Sequence, residues 1–263
     1  MILLLDADSA LYRAGCANED RYYVASIDGN MVGKFNYKAE LDKFLEEFPD
    51  AEVEKVKTAG PVGISLYNLR ECISNMLSLS CTGYELYIGG NGNYRYDYYP
   101  EYKSNRKDED KPLHIEQMKK HLLGKYSAIS VDGEEVDDRV SCRQYELKEQ
   151  GINSCIVSID KDLNNSAGLH YNWVTKELYN VTQEEADLNF ARQLLTGDRT
   201  DGVPGIPKFG EKGALKLLPE YRPDWLDIVK AEYLRRGLTL DYLNQMGVCL
   251  WIRRKYGEIW SAS

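Results

Sequence analysis

Two aspartates three residues apart, Asp198 and Asp201, stand in a segment that combines two kinds of chemistry. Carboxylates at this spacing suit a metal ion. The segment continues into a turn rich in glycine and proline, followed by Lys208 and Lys212. Glycines leave backbone N–H groups accessible to anions, so this part suits a phosphate chain. The stretch 197–218 therefore predicts metal-dependent chemistry on nucleic acid.

Other acids follow short apolar runs elsewhere in the chain. Asp6 follows the run 2–5, and Asp160 and Asp162 follow the run 155–159. A third group, Glu135, Asp137 and Asp138, comes shortly after the run 128–131. Any one such group is equally well explained as a helix cap. Because the carboxyl ends of parallel strands meet at one edge of a sheet, three groups together with Asp198 and Asp201 favour a shared site.

A site of this kind suits magnesium, which prefers oxygen ligands and takes few direct carboxylates together with substrate phosphates. Two such ions roughly 3.5 to 4 Å apart can activate water and stabilise the leaving oxygen in phosphodiester cleavage. At a helix start, Glu135 and Asp138 are expected to face one way. Asp137 is expected to point to the side, where it would bind the second ion or lie in another coordination shell.

Composition limits the possible metal ligands and partners. The three histidines are dispersed, and the six cysteines form no CxxC pair and are expected to be buried, reduced thiols, so a metal must be held by oxygen. The net charge of −9 argues against a nucleic-acid partner. Metal ions bound by converging carboxylates would, however, reverse the sign of the local charge. The segment 95–125 is also locally basic, so a nucleic-acid partner stays possible.

The chain is expected to be a cytoplasmic, soluble protein with no membrane partner. No apolar run approaches the ~18 residues that a membrane span needs. The opening run MILLLDAD is too short and too soon acidic for a secretory signal.

The elements that must position these acids are predicted to form an α/β fold with a largely parallel sheet. Apolar runs at 2–5, 85–88, 128–131 and 155–159 alternate with helical patterns. The pattern of 22–35, with a turn at 28–30, predicts a peripheral hairpin. Further helices are predicted at 41–48, 62–79, 136–149 and 184–195, and a helical pattern over 225–260.

Four motifs in this order resemble the 5′ nuclease superfamily, the flap endonuclease group, with spacing most similar to bacteriophage 5′-3′ exonucleases. They are PEYKSNRK (100–107), EVDD (135–138), SIDKDL (158–163) and GDRTDGVPGIPKFGEKGA (197–214). The resemblance extends from Asp6 to about Leu218. It implies a PIN-like catalytic domain over 1–182 with a helical arch at about 95–125. It also implies a lobe over 183–263 whose helix-three-turn-helix binds duplex DNA.

The resemblance assigns roles to individual residues. It implies two Mg²⁺ ions, for which Mn²⁺ can substitute, and a K⁺ ion at the helix-three-turn-helix. The first ion is matched by Asp6, Glu135, Asp137 and Asp138, and the second by Asp160, Asp162, Asp198 and Asp201. The catalytic residues of the arch base are Tyr102, Lys103 and Arg106. The residues expected to bind DNA are Arg95, Lys103, Arg106, Gly205, Lys208, Gly210 and Lys212. Five tyrosines between 94 and 102 suit base stacking or, alternatively, a packed surface strand.

One departure from the family concerns the tip of the second core strand, where relatives usually carry an aspartate. Here Gly90 stands at the expected place, so the first metal cluster would lose a ligand. Asp8 or a water could fill the gap, although Asp8 could equally cap the following helix.

The function expected from the resemblance is a divalent-metal-dependent 5′-3′ exonuclease acting on double-stranded or 5′-flapped DNA, in phage replication or recombination. One alternative is 5′-flap endonuclease or RNase H activity as the dominant reaction, which would extend the substrates to RNA:DNA hybrids. Another is a structure-specific DNA-binding protein whose cleavage is weakened by the missing ligand.

Overall fold

The computed structural model describes residues 1–106 and 111–262. Residues 107–110, which belong to the arch predicted at about 95–125, lie outside the described residues. The strands are β1 Ile2–Asp6, β2 Glu19–Ile27, β3 Asn30–Phe35, β4 Glu52–Ala59, β5 Gly83–Gly89, β6 Ile129–Val131, β7 Ser154–Val157, β8 Gly168–Asn172 and β9 Glu177–Val181. The helices are α1 Asp8–Cys16, α2 Lys38–Glu47, α3 Val62–Met76, α4 Arg95–Tyr98, α5 Ile115–Lys125, α6 Val136–Glu149, α7 Gln183–Thr196, α8 Glu211–Leu217, α9 Trp225–Arg235 and α10 Leu240–Leu250.

A six-stranded sheet in the order β6-β5-β1-β7-β8-β9 forms the centre of the molecule. All neighbouring pairs are parallel except β8 with β9. The predicted α/β fold with a mainly parallel sheet is therefore confirmed. The strands β8 and β9 were not predicted, because the chain after Asp162 is polar and β9 is an edge strand with alternate residues in solvent.

Helices cover both faces of this sheet, which explains the continuous apolar run of β1. Leu3 and Leu5 pack against α1, α3 and α5 on one face. Leu4 packs on the other face with Tyr87 and with Val140 of α6. Successive side chains of a strand point to opposite faces, so a strand buried on both sides is apolar throughout.

A second apolar cluster is built by α7 to α10. Its centre is Phe190, whose ring packs edge-on against Trp251 at 4.8 Å and against Trp260 at 5.3 Å between ring centroids. The helical pattern predicted over 225–260 is wrong beyond Leu250, where the chain leaves the helix. Trp251 stays in this cluster while Ile252 enters the cluster around Leu4, and one continuous helix could not serve both. The division at 182/183 stays a prediction.

Residues 19–59 form a separate three-stranded antiparallel sheet in the order β3-β2-β4, with α2 beside β3. The predicted hairpin is confirmed by the pairing of β2 with β3. The strand β4 was missed because its side chains are mostly exposed and charged. This inserted sheet also holds the chain after position 110, since Glu19 accepts a 2.5 Å hydrogen bond from the Leu113 N–H.

Within the described residues, no helix has both the length and the apolar character needed to cross a membrane. The six cysteines, all in the described part of the chain, are free thiols. Four of them are buried as expected, but Cys81 is exposed and Cys16 is partly so.

Candidate active site

A cavity of about 900 Å³ opens at the carboxyl edge of the parallel strands. Seven of the eight predicted metal ligands line it, and only Asp138 does not. The acidic residues around it are Asp6, Asp8, Glu134, Glu135, Asp137, Asp160, Asp162, Asp198 and Asp201. The basic residues around it are Arg95, Lys103, Arg106, Lys111 and Lys161.

Each acid reaches the cavity from the end of a structural element. Asp6 is the last residue of β1, and Glu135 immediately precedes α6. Asp160 follows β7, and Asp162 begins a short 3-10 turn. Asp198 follows α7 in a turn closed by two backbone hydrogen bonds with Val203, at 2.7 and 2.8 Å. The acids thus come from four separate parts of the chain, and three of these parts lie at or beyond the ends of the strands β1, β6 and β7, whose parallel arrangement brings these ends to one edge of the sheet.

Asp138 does not reach the cavity, which corrects its prediction as a metal ligand. Its side chain is fully buried and accepts hydrogen bonds from Arg95 at 2.5 and 3.0 Å. It also accepts the backbone N–H of Arg253 at 3.0 Å and, at 3.3 Å, that of Glu135. The bond back to Glu135 turns Asp138 toward the core, as at many helix starts. Glu135 and Asp137, rather than Glu135 and Asp138, therefore share the cavity side of α6.

Arg95 is an internal side chain, which corrects its prediction as a DNA contact. Only 2% of it is exposed. Besides Asp138, its guanidinium donates to the carbonyl oxygens of Cys249 at 2.9 Å and Trp251 at 2.7 Å. Arg95 therefore joins α4, α6 and the chain after α10. A phosphate could not approach it without breaking these bonds.

Burial and mutual repulsion raise the pKa values of several cavity acids. The pKa of Asp6 is raised to about 7, first by burial and then by the charge of Asp8. The pKa of Asp162 is also raised to about 7, by burial and by the charges of Asp160 and Asp198. Burial, Asp6 and Asp160 raise the pKa of Asp137. Carboxylates so close to one another are destabilising unless cations accompany them.

The predicted arch base lies directly over these acids. Lys103 pairs with Glu135, and its Nζ lies 3.4 Å from Oδ2 of Asp201. The Tyr102 hydroxyl donates to Asp201 Oδ2 at 2.8 Å, and Arg106 pairs with Oδ1 of the same carboxylate. Lys103 also donates its backbone N–H to the Asp201 carbonyl at 2.8 Å. The basic residues therefore bridge the acids of α6 and the turn after α7.

Glu135 differs from its neighbours because its pKa is lowered. Burial alone would raise this pKa, but the charges of Arg95 and Lys103 outweigh burial. Glu135 is therefore an ionised carboxylate whose positive neighbours come from α4 and the arch base.

The predicted DNA-binding residues of the second lobe lie outside the cavity. Lys208, Gly210 and Lys212 are exposed, at or near the start of α8. Gly205 is instead buried, and its carbonyl accepts a 3.0 Å hydrogen bond from the Tyr242 hydroxyl. Its φ of 59° and the backbone of Gly197 against its Cα require glycine for packing, which corrects its prediction as a DNA contact. Tyr96 and Tyr98 are exposed on the helix α4, so the alternative of a packed surface strand is wrong.

The tip of β5 differs from its expected form by one residue. Gly90 donates its N–H to the Val131 carbonyl at 2.8 Å, and a Cβ added to Gly90 would collide with Asp132 Oδ1 and lie 2.8 Å from the same carbonyl oxygen. The side-chain position at Gly90 is thus closed by Val131 and Asp132. A Cβ added to Gly89 would instead lie 2.8 Å from Asp8 Oδ2, beside the cavity. Of the two glycines, Gly89 is therefore the one at which an added side chain would stand next to Asp8.

Three residues that contact cavity acids were not singled out from the sequence. Ser158 donates to Asp6 at 2.7 Å, and Gln193 donates to Asp162 at 3.0 Å. Arg253 pairs with Glu134 at 2.9 Å. In a sequence, a polar residue within a helix cannot be told from a surface residue, so nothing marked Gln193 as a residue of the site.

The donor set fits hard divalent cations, because the cavity acids are carboxylates whose repulsion such cations relieve. In the arrangement of residues 1–106 and 111–262, no three acidic, histidine or cysteine side chains converge closely enough to hold a metal ion. Lys103 lies between Glu135 and Asp201. Metal binding at this site would therefore require the carboxylates to move closer together.

Comparison with known proteins gives matches of sequence and of fold, although no family model matches the chain. The 5′-3′ exonuclease of Buchnera aphidicola subsp. Schizaphis graminum is 29% identical over 176 residues, 60% of this chain and 60% of that protein. DNA polymerase I of Bacillus caldotenax is 28% identical over 174 residues, 57% of this chain and 19% of that protein. The matches thus span less than two thirds of these relatives. The flap endonuclease of bacteriophage T5, solved with DNA and metal ions, has the same fold, with a TM-score of 0.56 and 12% identity over 94% of this chain and 88% of that one.

Proposed function

We propose that the chain is a member of the 5′ nuclease superfamily and acts as a divalent-metal-dependent 5′-3′ exonuclease on DNA. It would hydrolyse phosphodiester bonds at or near 5′ ends. The relatives that carry this proposal are named 5′-3′ exonucleases, and the T5 flap endonuclease of the same fold was solved with DNA.

The single observation that supports it best is the position of Lys103 and Arg106 over the cavity acids. A phosphodiester is an anion, and carboxylates alone would repel it. The cavity offers positive side chains beside hard oxygen ligands, which is the combination that phosphoryl chemistry needs. An acidic cavity that held no metal would have no use for so many repelling carboxylates.

We assign Asp6, Glu135 and Asp137 to one ion and Asp160, Asp162, Asp198 and Asp201 to the other. Two bound Mg²⁺ ions would supply an activated water and stabilise the leaving oxygen, and Mn²⁺ would substitute for them. Lys103 and Arg106 would exchange their carboxylate partners for the scissile phosphate and stabilise its developing charge. Tyr102 would hold the Asp201 carboxylate in place through its 2.8 Å hydrogen bond.

Duplex DNA would be bound by the second lobe, away from the cut. Lys208 and Lys212 are exposed near the start of α8, beside Gly210. Cationic side chains of this kind contact phosphates without reading sequence. We place the K⁺ ion of the family in the same turn, although the carbonyl of Gly205 already accepts a bond from Tyr242 and so would not contribute.

The test is a pair of substitutions, Asp160→Asn and Asp201→Asn, assayed in Mg²⁺. Each should lower cleavage at least about 100-fold, since it removes several kcal/mol of transition-state stabilisation, and should leave DNA binding measurable. Asp227→Asn, on the exposed side of α9, is the matched control and should cut normally. Turnover at the wild-type rate by either cavity variant would overturn the assignment.

Two rival functions share the same cavity. The first is flap endonuclease or RNase H activity, which would dominate if 5′-flapped DNA or RNA:DNA hybrid is cut faster than double-stranded DNA. The product lengths on these three substrates distinguish it from exonuclease activity. A DNA-binding protein with weakened cleavage is motivated by the glycine at the tip of β5, and cleavage across a Mg²⁺ and Mn²⁺ series decides that point. A role in phage replication or recombination is proposed from the spacing of the motifs alone.

A further inference from the structure

We infer that Asp8 supplies the metal-binding carboxylate that the tip of β5 lacks, from helix α1 instead of from the strand. The inference rests on the proposed function, because it concerns a ligand of the first metal. It goes beyond that proposal because it assigns a residue that the family motifs do not cover.

The direction of the missing side chain follows from the register of the sheet. Tyr87 of β5 lies opposite Asp6 of β1, and alternate residues of a strand share a face. A side chain at Gly89 would therefore project on the same face as Asp6, one step further along. The ideal Cβ of Gly89 lies 2.8 Å from Oδ2 of Asp8, so the Asp8 carboxylate already occupies that space.

Asp8 is the first residue of α1, yet it does not cap the helix. No side-chain hydrogen bond caps the start of α1. The carboxylate of Asp6, not that of Asp8, accepts a local backbone N–H, at 3.2 Å from Asp8 N. Asp8 Oδ1 instead accepts the N–H of Gly89 at 2.9 Å, across 81 positions of sequence. The capping role considered for Asp8 is therefore wrong.

One oxygen of this carboxylate is left for a ligand. Oδ1 is engaged by Gly89, whereas Oδ2 accepts no hydrogen bond from any of the described residues. Asp8 lines the same cavity as Asp6 and Glu135. This oxygen is therefore available to a divalent cation in the cavity, for which a carboxylate is a suitable ligand.

A side chain at position 89 and the Asp8 carboxylate in its present position compete for the same space, which makes the inference specific. An aspartate at 89 would collide with the Asp8 carboxylate, and glycine at 89 leaves room for it. The Gly89 carbonyl is also held, by Lys119 Nζ at 2.6 Å, so the strand tip cannot easily withdraw. Moving the carboxylate from position 8 to position 89 should therefore preserve the metal site. A variant with an aspartate at both positions, or at neither position, should not preserve it.

The experiment measures Mn²⁺ binding without DNA, by calorimetry and by electron paramagnetic resonance, on four variants. Asp8→Asn keeps an acceptor for Gly89 but removes the charge, and should weaken the tightest Mn²⁺ site by about 10- to 100-fold. Asp8→Ser should do the same. Gly89→Asp alone should lower the melting temperature without tightening Mn²⁺ binding. The double variant Asp8→Ser/Gly89→Asp should regain most of the affinity that Asp8→Ser loses.

Asp241→Ser, an exposed aspartate in the first turn of α10, is the matched control and should bind Mn²⁺ like the wild type. Wild-type affinity in a folded Asp8→Asn variant would overturn the inference whatever the double variant does. Binding and cleavage separate the two proposals. If the wild type binds Mn²⁺ but cuts no DNA, the proposed function fails and the affinities still decide the role of Asp8.

Discussion

The Tyr102 hydroxyl donates a 2.8 Å hydrogen bond to Oδ2 of Asp201, joining two segments that lie 99 positions apart in the chain. The same hydroxyl lies 3.3 Å from both carboxylate oxygens of Glu135. The ring itself is buried among the apolar residues of the second lobe. One side chain thus anchors the arch base and orients carboxylates of both acid groups.

Tyr102→Phe should lower kcat by about 3- to 10-fold, the effect of losing one hydrogen bond that positions a carboxylate. The ring would keep its packing, so the melting temperature should change little. Tyr98→Phe, on the exposed side of α4, is the matched control. An unchanged kcat in Tyr102→Phe would show that Asp201 needs no such support.

Adjacent aspartates of α6 should respond in opposite ways. Asp138→Asn would remove the nearest counter-charge of the buried Arg95, leaving Glu135 at 4.0 Å, and should cost about 3 kcal/mol of unfolding free energy, seen by chemical denaturation. Asp137→Asn removes a repelling carboxylate and should leave stability unchanged or raised. Mn²⁺ affinity should fall in Asp137→Asn and stay near the wild-type value in folded Asp138→Asn. The reverse pattern would restore Asp138 as a ligand.

Mg²⁺ should stabilise the folded chain, because only the folded state gathers the cavity carboxylates. Binding at 100 times the dissociation constant adds about 2.7 kcal/mol, which should appear as a rise in melting temperature relative to EDTA. The rise should be smaller for Asp160→Asn than for the control Asp227→Asn. Equal rises in both variants would place the stabilising ion elsewhere.

The ion pair of Glu85 with Arg143 should make stability depend on pH away from the cavity. Arg143 donates to both carboxylate oxygens, at 2.8 and 3.0 Å, and Tyr87 donates a further bond. Burial raises the pKa of Glu85, but these hydrogen bonds outweigh it and lower the pKa. The stabilisation is therefore complete above the unfolded pKa, near 4.3, and is lost as the pH falls through the lower folded pKa.

Arg143→Gln should consequently lower the melting temperature at pH 7 by about 2 to 4 °C, the effect of roughly 1 kcal/mol for a partly exposed pair. The difference from the wild type should shrink below pH 4. A difference that is independent of pH would mean that Arg143 acts through packing alone.

Lys208→Ala and Lys212→Ala should each weaken DNA binding to a similar extent on unrelated sequences. Each should also reduce the slope of log K against log salt by about 1, the signature of one phosphate contact. Lys148→Ala, on the far end of α6, should change neither quantity. Unchanged slopes would remove the start of α8 from the DNA surface.

The sequence predicted the sheet and the position of most of the site because both depend on local pattern. Apolar runs of four residues that end in acids identify buried parallel strands and their carboxyl tips. Asp6 and Asp160 could therefore be placed before the structure was known. The helices of 136–149 and 184–195 were equally accessible, since their apolar spacing is regular.

The direction of single side chains could not be predicted. Asp138 faces inward because it bonds back to the start of α6, and Arg95 follows it inward to neutralise its charge. Both look like ordinary site residues in the sequence. The sequence left Asp8 open between metal ligand and helix cap, because its partner, Gly89, lies 81 positions away in the chain.

The chain after α10 joins the cluster of α7 to α10 to the central sheet a second time. Trp251 packs on Phe190 of that cluster, while Ile252 lies in the cluster around Leu4 of the central sheet. Arg253 then donates to Glu134 beside the cavity. With α7 as the first connection, two attachments leave rotation about the line between them as the easiest relative motion. Such a motion would change the distance of the Asp198 turn from Asp160 and Asp162, so DNA bound near the start of α8 would adjust the spacing of the carboxylates assigned to the second ion.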